Sequence, residues 1–202
     1  NNCPSCGAET IKEFNQTTKK HDAVRRCTNE GYDCEKIAIE KIKHFISKDA
    51  MNIDGLGKRV VENFWDLNLI RFPQDIYNLD YNKISDLEGW GDLSVSNLKY
   101  SIDQSRNVTL DRFLYSLGIR HIGIENAKLL AEYTKSITNF LNFIKNKKFN
   151  EFLNIDGIGE TQINSLKKFF ENKSNYKIIE TLSSMLNISD LKLNKDGKLL
   201  NN

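Results

Sequence analysis

Four cysteines crowd into the first 34 residues, as Cys3-Pro4-Ser5-Cys6 followed by Gly7, and then as Cys27 and Cys34. Their spacing is C-x2-C-x20-C-x6-C. A Cys-x-x-Cys turn aims two thiolates at one centre, and Gly7 lets the chain bend beneath them. Two such elbows make a closed tetrahedral all-sulfur site, which suits one structural Zn²⁺. The second elbow is long, so a bulge at Gly31 is expected. Two disulfides are the competing use, but no secretory signal is legible and such spacing inside a cell favours a metal. A redox pair at Cys3 and Cys6 lacks the surrounding βαβ pattern. With four thiols at hand, His21 is not needed as a ligand.

A second set of residues recurs. Ile53-Asp54-Gly55-Leu56-Gly57 returns as Leu87-Glu88-Gly89-Trp90-Gly91, as Ile119-Arg120-His121-Ile122-Gly123 and as Ile155-Asp156-Gly157-Ile158-Gly159. The last glycines lie 34, 32 and 36 residues apart, a period that signals one stacked supersecondary unit. Glycines at both ends of so tight a turn permit positive φ and leave no Cβ in the way. Exposed backbone N–H groups at a helix N-terminus attract anions, phosphate above all. The pattern looks like the helix-hairpin-helix motif, which grips a nucleic-acid backbone without reading sequence. The candidate contacts are Gly55, Gly57, Lys58, Arg59, Gly89, Gly91, Arg120, His121, Gly123, Gly157 and Gly159. The third copy departs from the rest, because His121 replaces the first glycine; histidine tolerates positive φ better than most residues. The plain alternative is that each Gly-x-Gly only ends one helix and begins the next.

These groups need helices to carry them. Val61, Val95, Ala127 and Ile163 stand four residues after the last glycines, and Phe64, Leu98, Leu130 and Leu166 seven after. Those offsets line one helix face. Residues 35–48 read as a helix with Ile37, Ile42, Phe45 and Ile46 inward, joining the cysteine module to the repeats. His44 reads as a boundary residue, not a catalyst. Pro73 suits the first turn of a short helix around Asp75–Leu79. Helices are also expected from the second hairpin through Ile102, over Leu110–Leu117 behind Thr109, over Ile137–Ile144 behind a Ser136 cap, from the fourth hairpin to near Phe170, and over Tyr176–Leu186. No strand alternation follows residue 35. The fold class is therefore mainly all-α: a tandem helix-hairpin-helix domain preceded by a small four-cysteine zinc finger. The expected segments are 1–36 for the finger, 37–187 for four hairpin repeats, and 188–202 for a C-terminal linker. Trp90 reads as a core plug more than as a stacking platform. Lys19, Lys20, His21, Arg25 and Arg26 are candidate phosphate contacts within the finger. Lys145, Lys147, Lys148, Lys167 and Lys168 read as scattered solvated faces.

The 202 residues are 39% hydrophobic and 28% charged, with a net charge of +2, an ordinary globular balance. So small an excess means that any basic footprint is local. No apolar run approaches the roughly 18 residues of a membrane span.

The order of motifs carries a resemblance: a four-cysteine finger, then HFISKDAMNIDGLG (His44–Gly57), LEGWG, SLGIRHIG (Ser116–Gly123) and IDGIG. It resembles the middle-to-C-terminal part of a bacterial NAD⁺-dependent DNA ligase, over residues 3–187. The resemblance implies a finger that holds Zn²⁺ and a hairpin domain that wraps nicked duplex DNA through its phosphates, in replication and repair. It implies a cytoplasmic, nucleoid-associated bacterial protein. In that family a lysine in a Lys-x-Asp-Gly motif is the nucleophile. Here Asn154-Ile155-Asp156-Gly157 lacks the lysine, and Lys195-Asp196-Gly197 lacks the intervening residue. No catalytic residue is therefore assigned, and NAD⁺ and Mg²⁺ belong to the full enzyme. The adenylation, oligonucleotide-binding and BRCT domains of the family have no counterpart, so the chain reads as a DNA-gripping fragment. A hairpin module from another repair protein, or a protein-interaction module, are the alternatives.

Overall fold

In the computed structural model, residues 1–15, 18–29 and 31–190 are described. Short polar stretches between the cysteines pair into two small ribbons. Strand β1 (Thr10–Ile11) runs antiparallel to β4 (Arg26–Cys27), and β2 (Phe14–Asn15) to β3 (Lys20–His21). Arg25 braces the first ribbon by donating to the Thr10 carbonyl at 2.6 Å and to its hydroxyl at 3.1 Å. Helix α1 (Glu35–Phe45) starts at once, with Cys34 as its N-cap. The fourth thiol is thus fixed by a helix start, not by a loop.

Each glycine pentapeptide sits between two helical elements. Helix α1 leads into the first and α2 (Lys58–Asp66) leaves it. Helices α3 (Tyr81–Ser85) and α4 (Asp92–Ser105) flank the second. Strand β5 (Asn107–Thr109) then precedes α5 (Leu110–Ser116), which with α6 (Ile124–Thr134) flanks the third. After α7 (Ile137–Lys145), a 3-10 helix at Phe149–Asn154 and α8 (Glu160–Glu171) flank the fourth. Helix α9 (Lys173–Met185) and strand β6 (Asn187–Ser189) complete the described chain. The Pro73 helix is a 3-10 turn, Pro73–Asn78. The predicted ends shift: α4 runs three residues past Ile102, and α9 begins at Lys173. There Asn172 caps by accepting from the Ser174 N–H at 2.9 Å.

The apolar faces predicted from the offsets converge. Val61, Phe64, Leu98, Ala127, Leu130, Ile163 and Leu166 are all at most 1% exposed and belong to one hydrophobic cluster reaching from Ala38 to Leu186. Val95 only packs against its edge. Trp90 is half-buried with its ring 5.5 Å from that of Phe64, as a core plug. The expectation of an all-helical body is corrected at one place. Strands β5 and β6 pair in parallel, with Asn107 opposite Asn187 and Thr109 opposite Ser189. Three residues are too few for a period-two pattern to register, and their partners lie 80 residues apart in the chain. The expected boundaries at 36/37 and 187/188 both fall inside elements, α1 and β6. Most of the expected linker, including Lys195-Asp196-Gly197, lies outside the described residues.

Three side chains that carry no spacing signal hold distant segments together. Arg106 donates to the Tyr77 carbonyl at 3.0 Å and the Met185 carbonyl at 3.3 Å. Arg112 donates to the carbonyls of Ala50 and Lys48, fixing the approach to the first hairpin. His44 shares a 2.8 Å hydrogen bond with the Tyr115 carbonyl and lies 3.2 Å from where a Gly118 Cβ would be. That contact makes His44 a structural latch between α1 and α5. Among the described residues, no helix is long and apolar enough to cross a membrane.

Candidate functional site: a thiol cluster and four glycine hairpins

The four predicted thiols meet. The sulfurs of Cys3, Cys6, Cys27 and Cys34 all lie within 4.8 Å of one another, with Cys6 and Cys27 at 3.5 Å and Cys3 and Cys34 at 4.0 Å. Zinc–sulfur bonds of about 2.3 Å need tetrahedron edges of about 3.8 Å, inside that span. All four cysteines are free thiols. The first elbow closes as predicted: Gly7 takes φ +74° and its N–H donates to the Cys3 carbonyl at 2.9 Å. At the second, the Asn29 N–H donates to the Cys27 sulfur at 3.4 Å. Gly31 there lies close to the Asn172 side chain, 2.8 Å from where its Cβ would be.

The backbone N–H groups of Cys6 and Ser5 pull the Cys3 thiol down to about 7. The Ala8 N–H pulls Cys6 the same way, but burial and the neighbouring thiols outweigh it and push Cys6 up to about 12. Burial pushes Cys27 up as well. A divalent ion held by the four sulfurs would displace the thiol protons. A closed all-sulfur set of this size fits a structural ion such as Zn²⁺, and as an all-sulfur tetrahedron it offers no open position for catalysis.

The hairpins share one backbone geometry. Their third residues all have positive φ: Gly55 +88°, Gly89 +85°, His121 +58° and Gly157 +93°. His121 does what its three glycine counterparts do. The fifth residues are extended instead: Gly57 −68°, Gly91 −97°, Gly123 −80° and Gly159 −117°. Positive φ at both ends is therefore corrected to the first end only. The second glycine is the N-cap of the next helix, and an N-cap takes the β region while its carbonyl accepts the first helical bond. The bonded N–H groups are those of Val61, Val95, Ala127 and Ile163, at 2.9–3.1 Å. These N-cap glycines offer no side chain to the first helical N–H groups, as α1 and α5 also lack one, whereas α3, α7 and α9 are capped by Asp80, Ser136 and Asn172. At the second and fourth hairpins the Gly91 and Gly159 N–H groups donate to the Ser94 hydroxyl and the Gln162 amide oxygen at 3.0 and 3.1 Å. A Cβ built on Gly57, Gly91 or Gly123 would meet nothing within 4 Å. The missing side chain there makes room on the outside of the protein.

The charged candidates divide. Lys58 and Arg59 are exposed at the start of α2, next to Gly57. Arg120 is spent otherwise: its guanidinium bonds the Glu13 carboxylate and lies 3.9 Å from Asp22, so it pins the third hairpin to the finger. His121 shares a 2.9 Å hydrogen bond with the Ser165 hydroxyl, linking the third hairpin to α8. Within the finger, Arg25 holds Thr10 and Arg26 pairs with Asp22 at 3.5 Å, while Lys19 and Lys20 are exposed. Asp54, Glu88, Asp92, Asp156 and Glu160 are exposed around the first, second and fourth hairpins. The first hairpin alone among those three adds cations to its bare N–H groups.

A family model described as a helix-hairpin-helix motif matches residues 112–179, the third and fourth units. A DNA ligase of Pelagibacter ubique (strain HTCC1062) is 60% identical over 200 residues, covering 99% of this chain and 30% of that protein. A DNA ligase of Parvibaculum lavamentivorans is 38% identical over 192 residues, covering 89% of this chain and 27% of that protein. One of Wolbachia pipientis wMel is 39% identical over 206 residues, covering 99% and 30%. The chain thus spans about 30% of the length of the curated relatives it matches. From its thiol cluster to its fourth hairpin, it is a homologue of one segment of the DNA ligases.

Proposed function

We propose that this chain is the zinc-finger and helix-hairpin-helix portion of an NAD⁺-dependent DNA ligase. It binds duplex DNA through the phosphate backbone, without reading sequence, and holds the duplex at a nick while other domains of the full protein seal it. Cys3, Cys6, Cys27 and Cys34 hold one structural Zn²⁺, which cross-links the finger. Gly55, Gly57, Gly89, Gly91, Gly123, Gly157 and Gly159 shape the phosphate contacts, His121 supports the third, and Lys58 and Arg59 add charge to the first. The adenylation chemistry, with its NAD⁺ and Mg²⁺, lies outside residues 1–202, where no Lys-x-Asp-Gly occurs. The setting is a bacterial cytoplasm, on replicating or damaged DNA.

The observation that carries this reading is the repetition of one geometry: four turns of positive φ, each followed by an exposed, extended glycine that is the N-cap of the next helix. The test is binding of two unrelated duplexes across a salt series. Similar affinities are expected for both, falling with a log–log slope of about −0.9 per phosphate neutralised. A strong preference for one duplex, or a flat salt response, would remove the backbone-grip reading.

A further inference from the structure

A cleft of about 900 Å³ lies between the finger, α1 and α8, with Arg120 and His121 of the third hairpin on its wall; none of the hairpin glycines lines it. Its volume is in the range of about 300–1,000 Å³ typical of small-ligand sites. Six basic side chains line it, Lys12, Arg26, Lys36, Lys41, Arg120 and Lys168, against one carboxylate, Glu13. Glu13 and Asp22 offset Arg120 and Arg26. The excess negative charge of four thiolates on a divalent ion offsets part of the rest. Lys12, between the two cysteine elbows in sequence, and Lys36, two residues after Cys34, are both exposed and line the cleft. Thr161, Asn164 and Ser165 add neutral hydrogen-bonding groups on the α8 wall.

Ile11, Phe14 and Ile37 add apolar lining. Phe14 is 44% exposed, on a two-residue strand, with His21 set edge-on to it at 5.1 Å. A phenyl ring so exposed contributes little to the core and is accessible from the cleft. An exposed aromatic ring and a group of cations lining one cleft match a ligand with a planar base at one end and a phosphate at the other. Stacking of a base on an aromatic side chain is tolerant of which base it is.

We propose that this cleft binds a phosphorylated nucleoside, its base on Phe14 and its phosphate at Lys12 and Lys36. A free nucleotide and the unpaired end of a nucleic-acid strand both present that chemistry. A duplex keeps its base faces stacked, so the cleft and the hairpins take different forms of nucleic acid.

The test is isothermal titration of the metal-loaded chain at low salt with adenosine 5′-monophosphate, hexathymidylate and inorganic phosphate. One equivalent of either nucleotide probe is expected to bind. Phe14→Ala is expected to weaken it at least fivefold, and the double change Lys12→Ala with Lys36→Ala at least tenfold, with helix content unchanged by circular dichroism. An oligonucleotide at least tenfold tighter than the mononucleotide supports the strand end as occupant; equal affinities support the free nucleotide. Gly57→Val is expected to leave this binding intact, so the cleft and the hairpin grip fail separately. The proposal is overturned if neither nucleotide probe binds, if inorganic phosphate binds as tightly as the mononucleotide, or if both sets of substitutions leave affinity unchanged.

Discussion

Gly57 and Gly157 show two different reasons for a glycine in one motif. Gly157 has φ +93°, and a Cβ there would lie 3.0 Å from a Leu129 methyl group. Any L side chain in that left-handed region costs about 1–2 kcal/mol. Gly57 has φ −68° and open space around its absent Cβ. Gly57→Val is therefore expected to fold, at a capping cost on the order of 1 kcal/mol, with α2 retained by circular dichroism. Its added methyl groups stand where a phosphate must approach, so duplex affinity is expected to fall at least tenfold. Lys168→Ala, which removes one charge from α8 and leaves the first hairpin untouched, is expected to change duplex affinity less than threefold. If Gly57→Val keeps its helix and binds duplex as well as the parent, the hairpins are mere connectors. Gly157→Ala supplies the contrast: it is expected to lower stability by about 1–2 kcal/mol in urea denaturation. The need for small residues was legible in the recurring pentapeptide. Which glycine serves the backbone and which the ligand was not, because φ at the fifth position follows from its duty as an N-cap.

At the scale of elements, the finger and α1 are one continuous device. Cys34 is both a candidate metal ligand and the N-cap of α1, and it is 1% exposed. The two ribbons of the finger are only two residues per strand, too short to persist alone. Metal binding is what holds such a module, with about 10–16 kcal/mol available in small fingers. Fresh, reduced protein is expected to carry about one equivalent of zinc. Cys27→Ser is expected to lose it and to unfold residues 1–34, with the helical signal of the body retained. Elemental analysis with circular dichroism decides; less than half an equivalent in the parent counts against the zinc site, as do two disulfides by mass. The spacing of the cysteines made this module legible. The docking of the finger was not, since Glu13 meets Arg120 across 107 positions of sequence.

Across the whole molecule, four hairpin units share one core, while the chemistry of joining strands has no residue assigned to it. None of the three Asp-Gly pairs, at Asp54, Asp156 and Asp196, carries the required lysine two positions before the aspartate; asparagine stands there in each. Incubation with labelled NAD⁺ followed by denaturing electrophoresis is expected to leave the 23.3 kDa band unlabelled. A labelled band would place a nucleophile within this chain and overturn the division of labour proposed here.

Short-range chemistry alone settled the repeat and the helix faces, because each depends on contacts within a few residues. A face at offsets of four and seven, a Ser before a helix, and a glycine within a tight turn obey local rules that need no partner from afar. Long-range packing decided the rest. It drew Arg120 to Glu13 and so removed a candidate cation from the hairpin surface. It paired β5 with β6 across 80 residues and set Arg106 and Arg112 on carbonyls of distant segments. It also opened the basic cleft, whose walls come from the finger, α1, the third hairpin and α8. Such partners are chosen when separate faces bury together, and a side chain's spacing along the chain carries no record of which face will arrive.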